Sequence, residues 1–578
     1  MPRRQDGGYV SPRRARASWA LLAGLCLVLG YLSLTFDRDR WPGFVGDEAS
    51  YLMAAESVAF DLDYRFEAAD LERFESRHQQ DGIVVLQSGD GGQKLAYGKP
   101  PFYPIALAPF VRVLGMRGAA VANTFYLSAA LILAAWALSR NRHVDGPLWV
   151  CVFVFGSVAF GHVFWVQSDL FLLSCTAAGL ALGTASVPRR ATVSRAAVVG
   201  QAMAGLGAGL LLAVPVVSRP NYLLLLVAPA LLVGVDRRRL WGFALGTLMV
   251  AALAVGLHQA SSGSPSPYGG ERRGFSRETG FPAGPAAVDW SAAVAERGDT
   301  SWFGDSPLAG FQPRLLAWNA YYFLAGQKIG LLAYFLPAIV TFPLWSRRRS
   351  PWIAWMLVGL MMLSFFGMRP FNIYGGAGAL ANRYFLPVYP LLWFALPLRL
   401  HPRWGIASIL ASTAFLFPLW RDPRAFPVTV GESYRYVSPV AARLLPIETT
   451  QRHLGPPQVG DVYHAGLWMR PLSGALRASG EGQRLLFANG SLDVDVLVGY
   501  RGALDGILLS IVSGEVGDVG SESVEIEPEG AKSWRIELGD ELARHPMWWT
   551  ADDVWLYRLR FRLAGDSGPV ALTMRPVE

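Results

Sequence analysis

S18-W-A-L-L-A-G-L-C-L-V-L-G-Y-L-S-L-T-F36 is a run of nineteen residues without a charge, and its reading decides the solvent of the chain. A helix of roughly 20 apolar residues covers the ~30 Å hydrocarbon core of a bilayer. Five arginines precede the run, Arg3, Arg4, Arg13, Arg14 and Arg16, the charge that keeps a helix end on the cytoplasmic face. A secretory leader has a similar outline, but no small-residue cleavage site stands out where W41-P-G-F-V-G-D47 follows. The run is read as an uncleaved first span. The composition agrees: 578 residues, 52% hydrophobic, 17% charged and 20 Trp, with a mean hydropathy of +0.29, describe a membrane chain.

Working outward, apolar runs near 18–36, 116–139, 146–164, 169–187, 196–217, 221–235, 240–258, 327–345, 351–367, 384–398 and 404–420 predict about eleven crossings. Every second connection is then arginine-rich, as in R140-N-R-H, D236-R-R-R, R347-R-R and R399-L-H-P-R. The bias puts those connections and the N-terminus in the cytoplasm. The net charge of +8 is therefore a topology signal and not a nucleic-acid footprint. Residues 37–115, the loop 259–326 and the C-terminus fall on the outer side. The three cysteines, Cys26, Cys151 and Cys175, lie in spans, so no disulfide framework serves the outer parts. The Ala- and Arg-rich composition suits a bacterial inner membrane.

From about residue 431 the period changes to two. W534-R-I-E-L and W555-L-Y-R-L-R-F-R-L alternate apolar and charged residues, and D493-V-D-V-L-V, G506-I-L-L-S-I-V and S523-V-E-I-E are further strand signals. The expected fold is a polytopic α-helical membrane domain, 1–430, followed by an extracytoplasmic all-β, sandwich-like domain, 431–578. Arg558, Arg560 and Arg562 are read as a solvated strand face.

Four polar features gather on the outer side, where a plain bundle of apolar helices needs none. In G46-D-E-A-S-Y-L, Asp47 and Glu48 suit the start of a helix as first-turn acids. Helical spacing puts Asp47 on the face of Tyr51 and turns Glu48 about 100° away. In Y97-G-K-P-P-F-Y-P the prolines stiffen an extended entry, and Lys99 is either a snorkelling side chain or a point charge for a phosphate; Tyr103 follows it. In W165-V-Q-S-D-L-F, Asp169 is either a helix cap or a second carboxylate, with His162 behind it. Finally S218-R-P-N-Y and N372-I-Y-G-G-A-G-A-L-A-N-R-Y place Arg219 and Arg383, the latter after Asn382, where the charge bias predicts few arginines. Guanidinium groups bind phosphate oxygens in pairs and stay charged. Glycines 375, 376 and 378 permit close backbone approach. Trp302, Tyr321 and Tyr322 could stack on a sugar or simply pack.

With those residues in place the chain resembles the integral-membrane GT-C glycosyltransferases, which include protein O-mannosyltransferases and aminoarabinose transferases. The resemblance covers about residues 18–400 and rests on G46-D-E-A-S-Y-L, K99-P-P-F-Y-P, S168-D-L-F and N382-R-Y-F-L-P. It implies transfer of a sugar from a polyprenyl-phosphate-type lipid to an extracytoplasmic acceptor. Asp47 would be the general base, with Glu48 supporting it, and Asp169 would orient the acceptor or share a divalent cation, Mg2+ or Mn2+, with Asp47. Lys99, Arg219 and Arg383 would hold the donor phosphate, and Tyr51, Tyr103, His162 and Asn382 would line the substrate site. Aminoarabinose transferases carry an acidic residue before the lysine of this motif, where Gly98 stands here, and this weakens the case for the metal. The rival readings are a transporter or flippase of an envelope glycolipid, which predicts paired repeats and broken helices at the midplane, and a non-catalytic assembly scaffold with the β domain as its working part.

Overall fold

A computed structural model of the chain describes residues 11–36, 44, 46–78, 82–90, 94–142, 145–185, 195–234, 237–276, 294–295, 313–345, 349–370, 373–375, 380–396, 401–426, 437–446 and 448. Beyond these it describes 462–464, 467–471, 476–478, 486–489, 492–501, 504–513, 518–520, 525–530, 532–538, 545–546, 554–564 and 569–577. Trp302, Gly376 and Gly378 lie outside the described residues. The chain divides into two compact units, Met1–Gly310 with Leu331–Met368 and Ala381–Pro427, and Phe311–Gly330 with Arg369–Leu380 and Val428–Glu578.

In the first unit, five helices among the described residues are long and apolar enough to cross a bilayer: Pro12–Leu34, Arg117–Arg140, Val198–Ser218, Arg237–Ser262 and Arg349–Met368. Trp241, Leu248, Trp352, Met356 and Leu360 on the last two are each at least half exposed, an apolar surface that suits lipid and not water. Helices in lipid pack through small residues, and here G205-L-G-A-G209 faces G242-F-A-L-G246. A methyl group at Gly209 would strike the carbonyl oxygen of Phe243, and one at Gly246 that of Leu206.

Five of the six remaining expected crossings are shorter or broken. The run 146–164 forms helices Gly146–Phe155 and Val158–Phe164, bent by 71°, because Ser157 is extended and its hydroxyl caps Ala159 N–H. The run 169–187 is the helix Ser168–Thr184, and 221–235 divides into Pro220–Leu226 and Ala228–Val233. Within 327–345 the helices are Leu331–Tyr334, Leu336–Thr341 and Pro343–Trp345, and 384–398 begins as Arg383–Val388 and Pro390–Trp393. Pro337, Pro343, Pro387 and Pro390 explain these breaks, since each lacks an N–H and crowds the preceding turn. The run 404–420 lies in the unbroken helix Pro402–Arg421.

The two long loops of this unit meet in one antiparallel sheet, ordered Ala96–Tyr97, Ile83–Ser88, Glu271–Ser276, Val294–Ala295. Leu86 pairs with Tyr97 on one side and Arg273 on the other. Ser50 secures this sheet to the helix Glu48–Phe60 by accepting from Val85 N–H at 2.9 Å and donating to Ile83 O at 2.7 Å.

The second unit holds two antiparallel sheets. One runs Glu525–Gly530, Ser533–Glu537, Gly506–Ser513, Pro569–Val577, Leu486–Asn489, Leu476–Ala478. The other runs Asp518–Gly520, Val554–Ala564, Leu492–Arg501, Leu467–Pro471, Val462–His464, with His545–Pro546 beside Val554–Ala564. Trp534, Ile536, Leu509 and Leu572 from the first share a core with Tyr557, Leu559, Phe561 and Val496 from the second, the arrangement of a sandwich. Arg560 and Arg562 alternate outward. In the same unit Tyr322 stacks on Trp318 with ring centres 5.6 Å apart, and Tyr321 meets Trp318 edge-on.

Candidate functional site

Gly46 takes a φ of 58°, a left-handed conformation that glycine adopts freely, and it delivers Asp47 to the start of the helix Glu48–Phe60. Asp47 does not cap that helix with its side chain. Its Oδ2 instead meets Lys99 Nζ at 2.9 Å, with Asp47 a quarter exposed and Lys99 buried. Burial pushes the Asp47 pKa up, but the charges of Lys99 and Arg383, the Lys99 hydrogen bond and Arg272 outweigh it. The group titrates below the ordinary carboxylate value.

Lys99 is set by its backbone. Gly98 N–H donates to Val85 O at 2.8 Å, Tyr64 OH donates to the Lys99 carbonyl at 2.8 Å, and Arg272 Nη2 donates to the Gly98 carbonyl at 2.7 Å. Pro100 and Pro101 then remove two more torsional freedoms. Sequence reasoning missed Arg272. Its partner stands 174 residues away, and only the shared sheet brings the two loops together.

Glu48 is fully buried, and its Oε1 accepts from Val166 N–H at 3.1 Å. It thereby pins the first helix of the site to the turn W165-V-Q, whose residues Trp165 and Gln167 are extended between two helices. Tyr51 OH lies 3.2 Å from Ser168 Oγ. Tyr103 packs edge-on against Tyr51 and donates to Asn123 Oδ1 at 3.1 Å. Asn123 Nδ2 in turn donates to the carbonyls of Val163 and Trp165, so Tyr103 and Asn123 shore up the same turn.

Asp169, in the first turn of the helix Ser168–Thr184, is fully buried. Its Oδ1 accepts from Arg219 Nη1, and its Oδ2 lies 4.0 Å from Arg383 Nε. Arg219 also donates to Tyr222 OH at 3.3 Å, and its guanidinium sits 4.7 Å from the centre of the Tyr384 ring. Arg383 Nη1 donates to Gln167 Oε1 at 3.2 Å and lies over Trp165. The influence of Arg383 on Asp47 puts one guanidinium in electrostatic reach of both aspartates.

The structure therefore places Asp47 with Lys99, and Asp169 with Arg219 and Arg383, while Glu48 and Tyr51 tie the helix after Asp47 to the segment before Asp169 and Tyr103 packs on Tyr51. Asn382 and His162 stand apart in role. Asn382 Oδ1 accepts from Tyr384 N–H at 3.0 Å and caps the short helix that carries Arg383. His162 packs against Phe426 and Trp165 in an aromatic cluster. Among the described residues no group of three His, Cys, Asp or Glu side chains is placed to hold a metal ion. Both aspartates already face cationic side chains, so the residues present do not fit a divalent cation on Asp47 and Asp169.

No protein-family model and no curated protein matches the chain. Among solved structures it is similar to ArnT from Cupriavidus metallidurans bound to undecaprenyl phosphate, with a TM-score of 0.37 and 16% sequence identity. The overlap covers 70% of this chain and 65%, just under two thirds, of that one.

Proposed function

We propose that this protein is a GT-C-type glycosyltransferase that moves a sugar, with inversion, from a polyprenyl-phosphate-type lipid to an extracytoplasmic glycan, lipid or protein. In this reading it is a multi-pass protein of a bacterial inner membrane with a cytoplasmic N-terminus and about eleven crossings. Residues 1–430 form the catalytic domain and 431–578 an outer β domain. One observation carries the reading: two aspartates and three basic side chains from segments far apart in sequence converge in one unit, with Asp47 left partly exposed beside its lysine.

An acceptor hydroxyl is a weak nucleophile until a carboxylate takes its proton. Asp47 is ionised and partly accessible, which suits that role. As the hydroxyl oxygen bonds to the anomeric carbon, the bond from that carbon to the phosphate oxygen breaks. The proton passes to Asp47 and the electron pair leaves with the phosphate. Pre-placed cations in a poorly solvated site stabilise such growing charge strongly, and Lys99, Arg219 and Arg383 are the candidates. Glu48 and Asp169 act by holding the frame. Donor phosphate beside Lys99 would draw the lysine from Asp47 and relieve the cause of its lowered pKa, so that the base strengthens when the donor arrives.

The test is transfer of labelled sugar from polyprenyl-phosphate-linked donors to a membrane extract by purified protein in liposomes. Wild type transfers from at least one donor, and Asp47→Asn binds the donor but transfers at least about a hundredfold more slowly. Full transfer by that variant removes Asp47 from the mechanism. Movement of a solute with no change in glycolipid would replace the transferase with a transporter.

A further inference from the structure

Buried polar side-chain atoms nearly always find a hydrogen-bond partner. Among the described residues, the segment 162–169 departs from this: both His162 ring nitrogens, Trp165 Nε1, Gln167 Nε2 and Asp169 Oδ2 are buried with no hydrogen-bond partner in the protein. His162 and Trp165 spend their surfaces on each other and on Phe426. Gln167 and Asp169 are different, because each turns one oxygen to a guanidinium, Arg383 or Arg219, and is left with a second polar atom unmatched.

The orientation of the Gln167 amide follows from chemistry. A guanidinium has only donors, so the amide must turn its oxygen to Arg383, and Oε1 does so at 3.2 Å. The NH2 group is then aimed away from that cation. Gln167 is 2% exposed, so this donor has no access to bulk water. Asp169 is 0% exposed, and its Oδ1 is taken by Arg219, which leaves Oδ2 as an acceptor with only the distant Nε of Arg383 for company. One unmatched donor and one unmatched acceptor thus stand two residues apart on the same chain segment, beside the guanidinium assigned above to the donor phosphate.

We infer that Gln167 Nε2 and Asp169 Oδ2 form the subsite that grips the hydroxyl groups of the transferred sugar, and that Gln167 selects a neutral, hydroxylated glycosyl group over an amino-deoxy one. A hydroxyl both donates and accepts, so a polyol ring can satisfy both atoms. An ammonium can only donate. In place of the hydroxyl that meets Gln167 it leaves Nε2 unmatched, and it brings a further positive charge to Arg219 and Arg383. Sites built around a buried hydrogen-bonding group reject ligands that cannot pair with it. This inference rests on the transferase reading.

The test uses the full-length protein in nanodiscs and four probes: farnesyl phosphate, and the same lipid phosphate carrying a neutral pentose, a neutral hexose or an amino-deoxy hexose. The quantity read is the ratio of Kd for bare lipid to Kd for glycosylated lipid, which cancels any effect on phosphate binding itself. Wild type should give its highest ratio for a neutral sugar. Gln167→Glu keeps an acceptor for Arg383 and replaces the donor with an acceptor, and Gln167→Met removes the amide without adding charge. Both should lower the neutral-sugar ratio about tenfold, the scale of one neutral hydrogen bond. An unchanged ratio in both variants, or a wild-type preference for the amino sugar, overturns the inference while leaving the transferase standing. Failure of wild type to bind any of the four lipids overturns the transferase reading itself.

Discussion

Asp47 and Asp169 are both aspartates facing basic side chains in one unit, yet the two pairs are held differently. Asp47 keeps a quarter of its side chain exposed and meets a single lysine, a compact charge on a flexible stem. Asp169 is fully buried between two guanidinium groups, which stay charged and are further fixed by Tyr222, Tyr384 and Gln167. Under the proposed function the difference separates reactivity from framework. A carboxylate that must accept a proton needs access and a partner that can withdraw, whereas one that organises two arginines needs neither.

The largest effect expected from this contrast is on stability. Asp169→Ala leaves Arg219 and Arg383 buried without their counterion, and breaking such a pair by removing one partner costs about 3–5 kcal/mol. Thermal unfolding in detergent should show Asp169→Ala far below wild type, with Asp47→Asn close to it, because asparagine keeps an acceptor oxygen for Lys99. If the two variants melt together, the division into mobile and fixed pairs is broken.

Next comes the rate. Losing a general base costs on the order of 10²–10⁴ in turnover, so Asp47→Asn should lose at least a hundredfold while its melting temperature stays near that of wild type. Asp169→Asn, which keeps an acceptor for Arg219, should lose less turnover than Asp47→Asn. The reverse ranking would hand the role of base to Asp169.

Lys99 sharpens the comparison through pH. The lysine is the leading cause that lowers the Asp47 pKa, so in Lys99→Ala burial is opposed only by the charges of Arg383 and Arg272 and the pKa moves up. The acid limb of the pH profile of kcat/KM, which reports the ionisation of the base in the free enzyme, should shift to higher pH in Lys99→Ala and stay closer to wild type in Lys99→Arg. A limb that does not move separates Lys99 from the base.

Much of this contrast was legible in the sequence as residue types, and little of it as partners. Asp47, Lys99, Asp169, Arg219 and Arg383 stood out because charge at the edge of an apolar run is costly and needs a reason. That Lys99 would pair with Asp47, and both arginines with Asp169, is not written in any local pattern. Arg272 reaches Gly98 only because two loops share a sheet. Gln167 carries no charge and sits just before two residues that suit a helix start, Ser168 and Asp169, so nothing marks it until its amide is found buried. The apolar runs located the long helices, while the interruptions at Pro337, Pro343, Pro387 and Pro390 were visible as prolines but outweighed by hydropathy. The period-two alternation of W534-R-I-E-L and of the long strand Val554–Ala564 was enough to read strands, because a half-buried sheet repeats its burial every second residue.

The smallest effect is the most direct check on how Asp47 is held. Its folded-state pKa is depressed, so the unfolded state, titrating near 3.9, binds more protons in the interval between the two values, and there stability rises with pH. The contribution of the Lys99 pair is therefore fully present above the unfolded value and is lost as pH falls through the folded one. Asp47→Asn lacks this contribution at every pH. The difference in stability between wild type and Asp47→Asn should be constant from pH 5 to 7 and shrink below pH 4, by no more than about 1 kcal/mol for so partly exposed a pair. Asp70, pushed up to about 7 by burial, is present in both proteins and cancels, provided that it is not coupled to the substitution. A difference that stays flat down to pH 3 would mean that Lys99 does not hold Asp47 ionised, and that the mobile pair is no more than two neighbours.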